Sequence, residues 1–144
     1  MKQTSALEIG IPVIDLERMV EFYTEVFSCT EERRAEIPAE LSAAIGVHPQ
    51  GYVNVWLKLP GGEVIKLVNP PSPPASAERP AFAAQRTGIA YFTLYCDDIS
   101  GAISRARDRG ARLESDPELA RRAEGVRLAF LTDPEGNLFE FVQV

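Results

Sequence analysis

The sequence predicts an α+β protein made of two tandem βαβββ repeats, whose strands form a curved eight-stranded sheet around a cavity with the helices outside. Three observations lead to this prediction. An apolar strand followed by an aspartate and an amphipathic helix occurs twice, with Asp15 and Asp98 lying 83 residues apart. A glycine-containing hairpin turn also occurs twice, with Gly62 and Gly136 lying 74 residues apart. A proline-rich stretch separates the two copies.

The first unit begins with an apolar strand over residues 7–13. Asp15 can cap a helix, because its carboxylate accepts hydrogen bonds from the free amides of the first turn. The helix follows from apolar residues at helical spacing, namely Leu16, Met19, Val20, Tyr23 and Phe27. Segment 36–47 is predicted as a loop with a short helix, and residues 52–59 and 64–68 as a hairpin.

The second unit repeats this order. A strand is predicted over residues 89–96, and Asp98 caps a helix that ends at Gly110. The polar segment 116–122 is predicted as a loop. Residues 126–132 and 138–142 form the second hairpin, so that each unit reads β–α–β–β–β.

Proline content divides the chain. Five prolines lie between residues 70 and 80, a density that neither strands nor helices tolerate. We therefore expect a first module at 1–69, a proline-rich linker at 70–86 and a second module at 87–144, all within one compact domain.

Composition narrows the classes of partner. The formal net charge is −6 and there is no basic cluster, so that nucleic acid is not expected as a partner. No apolar run is long enough to cross a membrane, and the first residues do not resemble a signal peptide. The two cysteines, Cys29 and Cys96, are far apart and belong to no paired motif. We therefore expect a cytoplasmic protein with no membrane contact.

Three segments resemble the vicinal oxygen chelate superfamily, which includes glyoxalase, bleomycin-resistance and extradiol dioxygenase proteins. They are Gly10–Arg18 with the aromatic residues that follow, Thr87–Ile99, and Leu131–Phe141. The turn Asp-Pro-Glu-Gly-Asn, residues 133–137, is the most specific part of the likeness. The resemblance implies the same two-repeat fold around a ligand cavity, commonly in a dimer.

In that family, four metal ligands, usually His, Glu or Gln, lie on four strands that face the cavity. The resemblance places Glu8, Lys66, Tyr91 and Glu140 at these positions. Lysine offers no lone pair while protonated, and tyrosine is a poor ligand at neutral pH. We therefore expect no metal cofactor. The alternative is a divalent metal ion held by Glu8 and Glu140, with His48 as a further candidate ligand.

Strand alternation gives an independent reason to place Lys66 and Glu140 inside the cavity, because apolar residues flank each of them. A charge in an otherwise apolar strand needs a partner. Lys66 is expected to pair with Glu8 or Glu140, and Tyr91 to donate a hydrogen bond to the other carboxylate. The four residues form either a purely structural network or a catalytic one, in which Lys66 holds an oxyanion and a glutamate acts as the base.

Further residues are expected to line the ligand cavity because they share faces with these four. They are Asn54, Trp56, Lys58, Thr93, Tyr95, Leu128 and Phe130. Trp56 and Phe130 are candidates to sandwich a flat ligand.

The leading hypothesis is a binder, or an acid–base isomerase or lyase, for a small carbonyl or carboxylate compound that is partly apolar. A metal-dependent lyase, epimerase or dioxygenase is the alternative. A third is a scaffold protein with a filled cavity. A homodimer is expected from the resemblance.

Overall fold

The computed structural model describes residues 2–75, 80–115 and 125–144, and the chain divides into two compact units, Met1–Ala75 and Ser76–Val144. Each unit contains the order βαβββ, with one additional short helix before the third strand of the first unit. This confirms the predicted α+β class and its internal repeat. One detail differs from the prediction. In the described part of the chain the strands form two four-stranded mixed sheets and not one continuous eight-stranded sheet, because each unit completes its own hydrogen-bonded ladder.

The first unit contains a sheet with strand order β1-β4-β3-β2. β1 runs parallel to β4, whereas the β3–β4 and β2–β3 pairs are antiparallel. β4 therefore has a partner strand on both sides. The elements are β1 (Glu8–Pro12), α1 (Leu16–Phe27), β2 (Thr30–Ile37), α2 (Ala39–Ala44), β3 (Tyr52–Lys58) and β4 (Val64–Asn69).

The second unit repeats this topology with strand order β5-β8-β7-β6. A short 3-10 helix, Ala83–Gln85, precedes the first strand. Here β8 has a partner strand on both sides. The elements are β5 (Phe92–Tyr95), α3 (Ile99–Asp108), β6 (Arg112–Leu113), β7 (Arg127–Thr132) and β8 (Leu138–Gln143).

Two elements differ from the sequence-based expectation. The predicted loop at 36–47 overlaps the end of β2, which pairs with β3 along its whole length despite its charged sequence. The strand predicted over 89–96 is shorter, because only residues 92–95 pair with β8. The module boundaries remain predictions. Part of the expected linker, residues 76–79, and the whole predicted loop at 116–122 lie outside the described residues.

One helix covers one face of each sheet. α1 packs on β3 and β4, where Ile65 and Leu67 are buried. α3 packs on β7 and β8, where Phe139 and Phe141 are buried. Each helix begins as predicted, because Asp15 accepts from the amide of Arg18 and Asp98 from that of Gly101. None of the described helices combines the length and apolar character that a membrane span needs.

The turn between β7 and β8 is organised by the buried side chain of Asp133, which is 2% exposed. Its carboxylate accepts hydrogen bonds from the backbone amides of Glu135 and Asn137 at 3.0 and 2.9 Å, and from the side-chain amide of Asn137 at 2.8 Å. Gly136 has a φ of 94°, a left-handed conformation that glycine adopts without strain. Asp133 therefore fixes the register of the hairpin.

We expect Asp133→Ala to lower the free energy of unfolding by about 2–4 kcal/mol, because two part-buried backbone amides and the Asn137 side chain lose their acceptor. Urea denaturation followed by circular dichroism measures this change. Asp97→Ala removes an exposed carboxylate outside the turn and serves as the control, with an expected change of less than about 0.5 kcal/mol. Equal effects of the two substitutions would contradict the role of the turn.

Candidate functional site

The face of the first sheet opposite α1 carries five of the side chains predicted from the sequence, namely Glu8, Asn54, Trp56, Lys58 and Lys66. Lys66 lies on β4 between the buried residues Ile65 and Leu67, so that strand alternation directs it away from the helix. Across the sheet its register partners are Gly10 on β1 and Trp56 on β3. The ammonium group is therefore at the centre of this face.

Lys66 forms an ion pair with Glu8, and the distance from Nζ to Oε2 is 3.1 Å. Gly10, the direct neighbour of Lys66, has no side chain, so Glu8 can reach the ammonium diagonally from two residues earlier on the same face. Of the two partners expected for Lys66, the structure gives Glu8. The side chains of Lys66 and Glu8 are 33% and 39% exposed, so water competes with the ion pair. Another carboxylate can therefore take the place of Glu8 at Lys66.

Trp56 lies beside Lys66 and is covered by a second cation. The Arg33 guanidinium carbon is 4.6 Å from the centre of the Trp56 ring system, a cation–π contact. Lys58, at the end of the same strand, pairs with Glu32 at 3.0 Å. Sequence reasoning missed Arg33 and Glu32, because the charged segment of β2 showed no apolar alternation. The available signal was positional: if this segment is a strand that pairs with β3, every second residue lies on the Trp56 face, and Arg33 is one of them.

Asn54 is two residues before Trp56 on the same face and is only 3% exposed. Its Nδ2 atom is buried and has no hydrogen-bond partner among the described residues. The register neighbours of Asn54 are Ala35 and Val68, whose side chains offer no polar group. An amide left buried and unpaired costs about 1–3 kcal/mol, so this side chain does not stabilise the sheet.

The corresponding face of the second sheet carries Glu140, which lies on β8 between Phe139 and Phe141. Thr93 donates a hydrogen bond from Oγ1 to Oε2 of Glu140 at 2.7 Å. The sequence predicts that Tyr91 donates a hydrogen bond to a carboxylate. Instead, Tyr91 packs edge-on against Phe130, with ring centroids 4.9 Å apart. Thr93 is the register partner of Glu140 and is therefore the closer donor.

The remaining predicted residues have less specific surroundings. Tyr95 is 73% exposed, and Leu128 is half-buried opposite Val142. His48 accepts a hydrogen bond at Nδ1 from the amide of Gln50, and its Nε2 is 3.2 Å from the hydroxyl of Ser72. His48 thus connects two loops of the first unit.

The four family positions do not suit a metal ion. Lys66 is a cation paired to Glu8, and the phenol of Tyr91 belongs to an aromatic contact. Across the described ranges, no three side chains of His, Cys, Asp or Glu come together in a way that could hold a metal. Instead of metal ligands, these positions carry an ion pair on the first sheet and a hydrogen-bonded carboxylate on the second.

Comparison with solved structures agrees with this fold. A crystal structure of a glyoxalase family protein from Bacillus cereus superposes with a TM-score of 0.83 at 21% identity, covering 99% of this chain and 95% of that one. A fosfomycin resistance protein from Listeria monocytogenes, complexed with Mn(II) and sulfate, gives a TM-score of 0.63 at 15% identity. It covers 100% of this chain and 94% of that one. At these identities the likeness concerns the fold.

Sequence comparison gives a consistent result. A lactoylglutathione lyase from Arabidopsis thaliana is 28% identical over 139 residues, which are 95% of this chain and 43% of that protein. The chain thus spans less than half the length of the curated relatives that it matches. The family model for the glyoxalase/bleomycin resistance protein/dioxygenase superfamily matches residues 6–141. The chain therefore belongs to the glyoxalase/bleomycin resistance protein/dioxygenase superfamily.

Proposed function

We propose that this protein binds a small, partly apolar organic anion on the face of the first sheet that carries Lys66, without a metal ion at the family position. The observation that carries this proposal is the Lys66–Glu8 ion pair. It puts an ammonium and its counter-ion where the family resemblance places two metal ligands. A ligand carboxylate can replace or join the carboxylate of Glu8 at Nζ of Lys66.

The surroundings of Lys66 favour an anion with an apolar body. Trp56 provides a large aromatic surface next to the ammonium, and the Arg33 guanidinium adds positive charge over that ring. Val68 is half-buried on the same face, two residues from Lys66. A ligand that is charged at one end and flat elsewhere satisfies both the cations and the ring.

Between binding and acid–base catalysis, the contacts of the carboxylates support binding. Glu8 is paired with an ammonium and Glu140 accepts from a hydroxyl, so each already has a donor. Charge pairing and apolar contact are sufficient for binding, whereas general-base catalysis would require one of these carboxylates to lie within hydrogen-bond reach of a substrate proton. We therefore propose a binding protein. The alternative is a metal-independent isomerase or lyase with Glu8 or Glu140 as its base. Such an enzyme would convert its substrate, so measurable turnover would distinguish it from a binding protein.

A cytoplasmic location and a homodimer are part of the proposal. Both cysteines are unpaired thiols, and burial raises the pKa of Cys29 to about 12, so this thiol stays protonated and unreactive near neutral pH. Such thiols suit a reducing compartment. The homodimer is taken from the family resemblance, and light scattering in solution tests it.

Lys66→Met is expected to raise the dissociation constant of 4-isopropylbenzoate about tenfold or more, because the carboxylate loses a charge-assisted hydrogen bond. Titration calorimetry at low salt measures this change. Arg112→Met is the control, since it also removes one positive charge, from an exposed arginine 3.7 Å from Glu114. If both variants weaken binding equally, the effect is one of net charge and the proposed site is wrong.

Metal analysis separates this proposal from the metal-dependent alternative that uses Glu8 and Glu140. After incubation with Ni²⁺, Zn²⁺ or Mn²⁺ and gel filtration, we expect no stoichiometric metal, because Lys66 and Tyr91 are unsuitable ligands. Elemental mass spectrometry measures the metal content. One metal per chain that is lost in Glu140→Ala would establish the alternative and overturn the metal-free proposal.

A further inference from the structure

Building on the proposed function, we infer that the bound anion carries a neutral hydrogen-bond acceptor about 7 Å from its charged group, and that the side-chain amide of Asn54 binds this acceptor. The ligand class is thus a flat aryl or similarly rigid carboxylate with a carbonyl-type oxygen at its far end. Asn54 would determine specificity, and Lys66 would supply affinity for the anion.

The first step is the unusual state of Asn54. The described residues include four buried polar or charged side chains, namely Ser42, Asn54, Thr132 and Asp133. Ser42 bonds to the backbone of His48, Thr132 to the Glu114 carboxylate, and Asp133 within its own turn. Asn54 is the one whose side-chain nitrogen is buried without a hydrogen bond. Native proteins rarely leave such a group unpaired unless something else binds it.

The second step is that folding gives no reason for an amide at this position. The strand neighbours of Asn54, Ala35 and Val68, are small and apolar. A leucine branches at the same carbon but has no polar atom, so it would remove the cost of the unpaired nitrogen. A residue that lowers stability on a face with a candidate ligand site is better explained by binding.

The third step is distance. Asn54 lies two residues from Trp56 on β3, and Trp56 is directly opposite Lys66. Two residues along a strand span roughly 6.6 Å. Glu8 approaches Lys66 from the other direction along the sheet, since it lies opposite Val64 whereas Asn54 lies opposite Val68. A ligand whose carboxylate joins Lys66 on the side away from Glu8, and whose ring lies along Trp56, therefore has its far end near Asn54. The torsion that turns an asparagine amide is soft, so the side chain can rotate to meet an acceptor.

Two ligands of almost identical shape test this inference. In 4-acetylbenzoate a carbonyl oxygen lies at the far end from the carboxylate, and in 4-isopropylbenzoate a methyl group takes its place. We expect the wild-type protein to bind the acetyl compound about three- to tenfold more tightly, the value of one hydrogen bond. In Asn54→Leu this preference should disappear, while 4-isopropylbenzoate still binds.

Thermal unfolding without ligand provides a second readout. If Asn54 serves binding, Asn54→Leu keeps or raises the melting temperature, whereas a structural asparagine would make the variant less stable. A clear loss of stability would therefore count against the inference. If the leucine variant fails to fold, two measurements still test the inference. They are the two-ligand comparison on the wild-type protein and the same comparison on Asn54→Ser.

The outcomes separate the inference from the proposed function. Equal affinities of the wild-type protein for the two compounds, or a preference that survives in Asn54→Leu, would overturn the role of Asn54 and leave the anion site standing. If neither compound binds up to about 10 mM, a range that covers fragments of this size, the proposed function itself fails.

Discussion

One inner strand of each sheet, β4 in the first and β8 in the second, determines the face on which the charged residues Lys66 and Glu140 lie. β4 and β8 are hydrogen-bonded on both sides, so their registers cannot shift without breaking two ladders. A shift of one residue would turn Lys66 toward α1 and move Ile65 and Leu67 out of the core. The same holds for Glu140 between Phe139 and Phe141. Burial of the flanking apolar residues thus keeps one charged group on the opposite face of each sheet.

Much of the fold could be predicted from the sequence, because the same order of elements occurs twice and each copy supports the assignment of the other. The caps at Asp15 and Asp98, the turns at Gly62 and Gly136, and most hairpin strands agree with the structure. The extent of β2 could not be predicted. Its residues are charged, and only pairing with β3 makes them a strand. The division into two sheets also depends on long-range pairing that local patterns do not contain.

The faces on which the candidate site residues lie could be predicted from the sequence, but their contacts could not. Alternation correctly placed Lys66 and Glu140 opposite the helices, whereas the partner of each depends on strand register. The absence of a side chain at Gly10 allows Glu8 to reach Lys66, and the alignment of β5 with β8 puts Thr93 rather than Tyr91 next to Glu140. Arg33 and Glu32 were missed because they come from β2. The assignment of a ligand to this face remains a proposal.

The charged sequence of β2 has a consequence for the behaviour of the protein in concentrated solution. β2 is an edge strand of the first sheet, and its register shifts between Glu31 and Arg33. Unpaired backbone groups at a sheet edge attract strands of other molecules, and such contacts lead to aggregation. Two acidic residues followed by two basic ones, next to an irregular register, make this edge a poor template for an incoming strand. The segment whose sequence is least typical of a strand therefore protects the edge of the first sheet against aggregation.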